Sequence, residues 1–448
     1  MPTAPLYLGL DLGTTSAKLA AFTAAGDLIQ ERTGAYPLHH PEAGAAVQEV
    51  ADIVAVAEGL IGQLIAELPR RPLGMSISCP MHGVLLLDAA GNPLGPILTW
   101  ADVRAETVMQ DFDEAQRREL LRRTGTPVHP MSPLVKLRWL AQAQPERIAA
   151  ATYLSDLKSY LVDRWTTDGK LLDEQLASAT GLLDLTTRDW HPPALQLAGD
   201  GTSLPLRTPR VVPATTRLHW RPEVADRLGV ADVALFIGGS DGCLANLGSG
   251  LMEPGRVSLT IGTSGAVRAT HRGTAAATED RLFNYILFDD YFVLGGATNN
   301  GGKVLEWTYE LLRGHFGSIG EMIEAAVAAP DTDLQFAPYL YGERAPIWDA
   351  LATAAFTGLR GHHTPVDLVR AVLLGVTDNV VEILRQLEAA TCPSEIIYAS
   401  GGFTRSAGWV ELLAQRAGRR VEVAHAPQAS AFGAALIVVR GLTKQTEK

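Results

Sequence analysis

The sequence predicts an α/β protein made of two related lobes, and three observations carry that prediction. Near the N-terminus, Leu8-Gly9-Leu10-Asp11-Leu12-Gly13-Thr14-Thr15-Ser16-Ala17-Lys18 reads as an apolar strand, a tight turn and a second strand. About 250 residues later, Ser258-Leu259-Thr260-Ile261-Gly262-Thr263-Ser264-Gly265-Ala266-Val267-Arg268 repeats the shape. The chain of 448 residues is also too long for one hydrophobic core, so two domains of roughly 200 residues are expected. Such a turn aims backbone N–H groups and hydroxyls at one point, which suits an anion such as a nucleotide phosphate. Two of them suggest two lobes closing on one phosphate chain.

The first lobe opens as a meander of strands over 6–12, 16–23 and 28–35, with Ala25-Gly26-Asp27 as a hairpin turn. Apolar residues at Ile53, Val56, Leu60, Leu64, Ile65 and Leu68 follow helical spacing over 50–68, and Pro69 ends that helix. A strand at 73–79 leads through Pro80-Met81-His82-Gly83 into a second apolar strand, 84–87. Residues 103–165 are mainly helical in pattern, and 186–222, rich in Pro, Thr and Arg, read as irregular connection. The apolar run Val233-Ala234-Leu235-Phe236-Ile237 is expected to open the second lobe, which sets domains at 1–233 and 234–448. A helix over 244–250, strands at 256–261, 265–270 and 291–295, and a helix from about 301 follow. A long helix over 364–390, a strand at 395–399 and a helix from Ala429 complete that lobe.

Composition excludes several classes. No apolar run approaches the roughly 18–20 residues of a membrane span, and the N-terminus lacks a signal-peptide layout. Cys79, Cys243 and Cys392 match no zinc spacing and read as reduced, mostly buried thiols of a cytoplasmic protein. The net charge of −11, without a basic cluster, disfavours nucleic acid as a partner. No G-x-x-x-x-G-K-[ST] loop occurs, and no G-x-G-x-x-G follows the first strand, which argues against Walker-type and Rossmann sites.

Candidate residues cluster at turns. Asp11, at a strand end beside Gly13-Thr14-Thr15, suits Mg²⁺ and phosphate; a plain hairpin explains the same residues. Asp241, just past an apolar strand, sits where α/β sheets keep their ligands and suits a proton acceptor; an N-cap explains it equally. Gly301-Gly302 and Gly401-Gly402 permit close approach by a flat ligand, or are turns. His82 and His129 lie in loops without a metal partner at i+3 or i+4. Asp102 and Arg104 are a carboxylate and a guanidinium two apart, which a surface ion pair would explain.

Together these motifs resemble the FGGY family of carbohydrate kinases over nearly the whole chain. Met131-Ser132-Pro133-Leu134-Val135-Lys136-Leu137-Arg138-Trp139-Leu140 is similar to the family's first signature, with Ala143 where a polar residue is usual. Phe356-Thr357-Gly358-Leu359 with Asp367-Leu368-Val369-Arg370-Ala371-Val372-Leu373 is similar to the second, with Leu374 replacing an acidic residue. The resemblance implies the actin/hexokinase/Hsp70-like ATPase fold, built of duplicated ribonuclease H-like domains. It also implies ATP and Mg²⁺, with Asp11 organising the metal and Gly13, Thr14, Thr15 and Lys18 beside the phosphates. Thr263 and Ser264 would meet the γ-phosphate, while Gly302, Gly402 and Ser406 would flank the nucleoside, Asn being common at the last position. Asp241 would be the general base. Met81 and His82 match a Met-His pair that contacts sugar, and Asp102, Arg104 and His129 would complete the substrate site.

Within the family, Cys79-Pro80-Met81-His82, Thr99-Trp100-Ala101-Asp102-Val103-Arg104, the run from Thr126 to Pro133, and Asn299-Asn300-Gly301-Gly302 resemble the gluconokinase branch. That branch implies phosphorylation of D-gluconate to 6-phospho-D-gluconate. A xylulokinase or other pentulose or polyol kinase is the alternative. The gluconate carboxylate would need donors, for which Arg104, His129 and Lys158 are candidates. An actin-like lobe pair can instead be a non-catalytic nucleotide-binding protein, but a chaperone of this fold needs a separate substrate-binding region that 448 residues leave no room for. Members are often homodimers, though no stripe in the sequence marks an interface.

Overall fold

Twelve strands pair into two six-stranded sheets that share a pairing plan over five strands each, the sixth joining at opposite ends. The computed structural model describes residues 4–199, 204–273, 281–424 and 428–446. In the first sheet Leu28–Ala35, Ser16–Phe22, Tyr7–Leu12, Gly74–Cys79, Ala234–Ser240 and Arg217–Leu218 lie side by side in that order. The second runs Phe283–Phe288, Tyr291–Thr298, Gly265–Arg272, Arg256–Ile261, Ile396–Ser400 and Arg420–Val423. In both, an antiparallel meander continues into two parallel strands. The repeated turn is thus the visible part of a duplicated sheet.

The duplication extends to single hydrogen bonds. Asp11 stands opposite Ser78 on the parallel neighbour, and the Ser78 hydroxyl donates to its Oδ1 at 2.7 Å. At the matching place in the other lobe Thr260 stands opposite Ser400, and their hydroxyls bond at 2.7 Å. One lobe carries a carboxylate where the other carries a hydroxyl.

Local chemistry explains the helices. Val50–Glu67 buries Ile53, Leu60, Leu64 and Ile65 on one stripe. Pro365–Ala390 begins with a capping box between Thr364 and Asp367, with Pro365 in the first turn. The helix expected at 244–250 starts earlier, at Asp241, because the Ser240 side chain caps it by accepting from the Cys243 amide at 3.3 Å. Residues 186–222 are more regular than their composition suggests, holding the helix Pro192–Ala198 and short strands at Asp189–Trp190, Arg210–Val212 and Arg217–Leu218.

Two elements belong to a different lobe than the sequence suggests. Ala234–Ser240, expected to open the second lobe, is the parallel neighbour of Gly74–Cys79 in the first sheet. A boundary between 233 and 234 therefore cuts that sheet, and the second sheet begins only at Arg256. The terminal helix Ala429–Thr446, expected to close the second lobe, returns to the first. Its Ala431, Ala434, Ile437 and Val438 share a buried cluster with Tyr7, Phe22 and Phe236, and that cluster reaches Tyr285 and Val293 of the second sheet.

Glycine makes this return possible. A Cβ on Gly9 would lie 1.8 Å from the Ala431 carbonyl oxygen, and one on Gly433 1.9 Å from the Leu244 carbonyl. The helix therefore packs backbone against backbone on the strand that carries Asp11. Gly9→Ala is expected to destabilise by about 1–3 kcal/mol by overpacking, read from the first urea transition; no loss would mean the helix shifts freely.

Cys79 and Cys243 are buried and Cys392 is partly exposed, all as free thiols. Among the described residues no helix is long and apolar enough to cross a membrane.

Candidate active site

Two cavities meet at the second turn. One, of about 350 Å³, is lined by Thr14, Met81, His82 and Trp100 from the first lobe and by Thr263, Ser264, Arg268 and Arg344 from the second, with Asp241. The other, of about 750 Å³, is lined by Gly302, Leu305, Ile323, Gly402, Phe403 and Ser406. Gly262 and Thr263 line both.

The turn itself is clamped from three sides. Its Gly262 carbonyl accepts from the Gly302 amide at 2.6 Å, where a helix begins. A Cβ on Gly301 would be 2.5 Å from Ser264 O, and one on Gly401, whose φ is 99°, 2.4 Å from Ile261 O. The first glycine of each Gly-Gly pair thus lets backbone reach the turn. The second faces the larger cavity, and at Gly402 a Cβ would meet nothing within 4 Å. Ser406 caps the helix Ala407–Ala417 and donates to Glu324 at 2.6 Å. In the first lobe the Thr14 hydroxyl accepts from the Trp100 indole at 3.0 Å, and the Gly13 carbonyl accepts from Tyr36 at 2.7 Å. Thr15 is exposed beside them.

Asp11 and Asp241 are two carboxylates within electrostatic reach. Burial, then Asp11, pushes Asp241 up to about 6, with the Gly242 amide and Arg268 pulling down. Asp11 is raised by burial, with the Ser78 bond and Lys18 opposing; Lys18 stands opposite it in antiparallel register. Asp241 is the first helical residue rather than the cap, and its carboxylate faces the cavity while accepting from the Gly242 amide at 2.7 Å and from the Met81 backbone. Its position depends on a bulge between Phe236 and Gly239, where Gly238 takes φ 76°. The fully buried Lys158 ammonium pins that bulge by donating to the Ile77 and Ile237 carbonyls at 2.8 Å, and to Gly239 O at 3.3 Å.

His82 is held in the left-handed region, φ 68°. Its carbonyl accepts from the Lys136 ammonium at 2.7 Å, and its Nδ1–H donates to Ala179 O at 2.7 Å. Burial, then Lys136, pushes it down to about 3, so it is neutral and Nε2 is an acceptor. His129 has the opposite tautomer: Nδ1 accepts from the Met131 amide at 3.2 Å, leaving Nε2–H as a donor without a partner among the described residues.

Of the substrate residues expected from sequence, Met81, His82 and Asp241 line the smaller cavity. Asp102 and Arg104 do not. Arg104 is bonded to Asp102 at 2.7 Å and Glu42 at 2.6 Å and lies over Trp139, while Asp102 also accepts from the Ala46 amide. They close on each other and shape the loop that carries Trp100. His129 packs edge-on against Trp348 outside the lining. Lys158 is consumed by the bulge and faces no cavity. Sequence reasoning missed Arg268 and Arg344 as lining residues, although Arg268 ends the repeated turn motif and Arg344 lies in Gly342-Glu343-Arg344-Ala345-Pro346.

Residues 6–248 match the N-terminal domain of the FGGY family of carbohydrate kinases, and residues 257–442 match its C-terminal domain. The chain belongs to the FGGY family of carbohydrate kinases. This FGGY kinase is 34% identical to the gluconokinase of Bacillus subtilis (strain 168), over 96% of this chain and 86% of that protein. It is 25% identical to a xylulose kinase of Staphylococcus xylosus, over 97% of this chain and 90% of that one. Among solved structures, a gluconate kinase from Lactobacillus acidophilus superposes with a TM-score of 0.91 at 28% identity, over 99% of this chain and 90% of that one. A ligand-bound xylulose kinase from the same organism gives 0.91 and 28%, over 98% and 90%. The FGGY kinase therefore has the two-lobed actin/hexokinase-like ATPase fold and is a carbohydrate kinase.

Proposed function

We propose that this enzyme is a cytoplasmic gluconokinase that transfers the γ-phosphoryl group of ATP to the 6-hydroxyl of D-gluconate. The observation that carries the reading is the meeting of a sugar-sized and a nucleoside-sized cavity at Gly262-Thr263, with Asp241 on the sugar side. The gluconokinase relatives and the gluconate kinase structure support the choice of sugar.

In this reading ATP lies with its nucleoside along Gly302, Gly402 and Ser406. Its phosphates lie between Gly13-Thr14-Thr15 with Lys18 on one lobe and Thr263-Ser264 on the other. Asp11 has one carboxylate oxygen bonded to Ser78 and the other without a protein partner among the described residues, which fits a hard cation. Asp11 would hold Mg²⁺, which supplies charge neutralisation on the phosphates when bound. Met81 and His82 contact the sugar, and the His82 Nε2 accepts from a hydroxyl. Asp241 orients the 6-hydroxyl and takes its proton late, as the new O–P bond forms and the bond to the ADP oxygen breaks. Closure of the lobes keeps out water, which would compete as acceptor.

An ADP-release assay across gluconate, xylulose, ribulose and glycerol tests the sugar. Gluconate is expected to give the highest kcat/KM. Turnover of a neutral ketose without turnover of gluconate would overturn the assignment in favour of a pentulose kinase.

A further inference from the structure

Two arginines of the second lobe line the smaller cavity without an ion-pair partner among the described residues. Arg344 is only 9% exposed. One of its terminal nitrogens donates to Thr298 O at 3.0 Å, its guanidinium stands 5.5 Å from the Trp100 ring across the cleft, and its Nε has no partner. The neighbouring Glu343 acts on it electrostatically but makes no ion-pair contact with it among the described residues. That carboxylate accepts from the Thr298 hydroxyl, the Asn299 amide, Asn379 and the Arg344 backbone amide. Arg268 is partly buried, and its Nε is likewise without a partner. Asp241 acts on it from beyond ion-pair contact.

Strand geometry carries the Arg268 backbone away from the phosphate turn, and its guanidinium lies near Gly242, within electrostatic reach of Asp241. Ser264, Ala266 and Arg268 alternate onto the cavity face, and the rise of about 3.3 Å per residue carries the Arg268 backbone about 13 Å from Ser264. The two histidines on this side add no charge, since burial holds both neutral. Buried guanidinium groups facing a cavity are stable when a ligand brings the anion. Arginine's planar fork matches a carboxylate with two parallel bonds.

We infer that Arg268 and Arg344 form a carboxylate clamp that selects a sugar acid over a neutral sugar of the same length. The inference rests on the gluconokinase reading and deepens it. It replaces Arg104 and Lys158, which are bonded elsewhere, as the residues that hold the acid end.

The test compares D-gluconate with D-gluconamide, in which a neutral carboxamide replaces the C1 carboxylate and the rest of the molecule is unchanged. The wild-type enzyme is expected to show kcat/KM for the amide at least about 10²-fold lower. Equal values would overturn the clamp without any variant. Arg344→Met and Arg268→Met are each expected to lower kcat/KM for gluconate by about 10²–10³-fold, mainly through KM. They should change the amide less than about 3-fold and leave the KM for ATP within about 2-fold. Arg344→Lys keeps the charge but not the fork, and is expected to recover only part of the loss. A parallel fall on gluconate and amide, or a raised KM for ATP, would assign the arginines to phosphate or to packing instead. A wild-type enzyme inactive on gluconate but active on a neutral ketose would remove the gluconokinase reading itself, and the clamp with it.

Discussion

Asp241→Asn is expected to lower kcat for sugar phosphorylation by about 10²–10⁴-fold while nucleotide still binds. Asn keeps the shape and can still orient the hydroxyl, but it cannot take the proton that must leave as the O–P bond forms. The substituted side chain lies in the sugar-sized cavity, whereas the nucleoside-sized cavity is lined by other residues beyond the shared turn. Titration of binding with ADP should therefore match the wild-type protein. Turnover within about tenfold of wild type would remove Asp241 from the base role and leave positioning alone to explain catalysis.

The raised pKa of this carboxyl gives the same variant a second signature. The base must be ionised, so kcat/KM is expected to rise with pH and level off above about 6. Stability moves the other way. The folded-state value lies above the unfolded one, so the folded protein binds this proton more tightly. Stability from this group is present at low pH, falls as pH rises between about 4 and 6, and stays reduced above that. Asn carries no charge and removes the penalty. Asp241→Asn is expected to raise the melting temperature at pH 8 and to leave it unchanged near pH 3.5, the gain being at most about 3 kcal/mol. Equal shifts at both pH values would mean that burial and Asp11 do not penalise the charge.

How much of this was readable in the sequence follows from which features are local. The strand–turn–strand units at 11–15 and 262–264 specify themselves within a dozen residues, so their positions and their asymmetry, Asp11 against Thr260, were legible. The assignment of Ala234–Ser240 was not. An apolar run buried on both faces announces a central strand, but periodicity carries no address for the sheet it joins. The terminal helix misleads for the same reason, because its partner, Tyr7–Leu12, lies more than 400 residues away. At the site, Asp241 was found because it follows a strand end. Asp102 and Arg104 looked like ligands because charged residues two apart are equally compatible with a site and with each other. Arg268 stood at the end of the repeated turn motif, but neither it nor Arg344 had a local signal of facing inward, which depends on strand alternation and on a cleft between lobes.

Lys158 makes the same point with the sharpest expected outcome for stability. Read as a free cation it was a candidate for the substrate carboxylate; in the fold its ammonium is fully buried between Asp173 at 3.2 Å and the carbonyls of Ile77, Ile237 and Gly239. Those carbonyls belong to the two parallel strands on either side of the bulge, and Asp173 also caps the helix Glu174–Ser178 through the Leu176 amide at 2.9 Å. Lys158→Met keeps the stem but leaves one buried carboxylate without its counter-charge and takes a donor from three buried carbonyls. The expected loss is about 3–5 kcal/mol, read from the first urea transition because two lobes need not unfold together. Lys158→Met with Asp173→Asn should recover part of it, since the uncompensated charge is gone while the cap remains. The surviving enzyme should show a lower kcat rather than a raised KM for gluconate, because the bulge aims Asp241. A loss below about 1 kcal/mol, accompanied by a selective rise in that KM, would instead place the ammonium on the sugar acid and return the bulge to glycine alone.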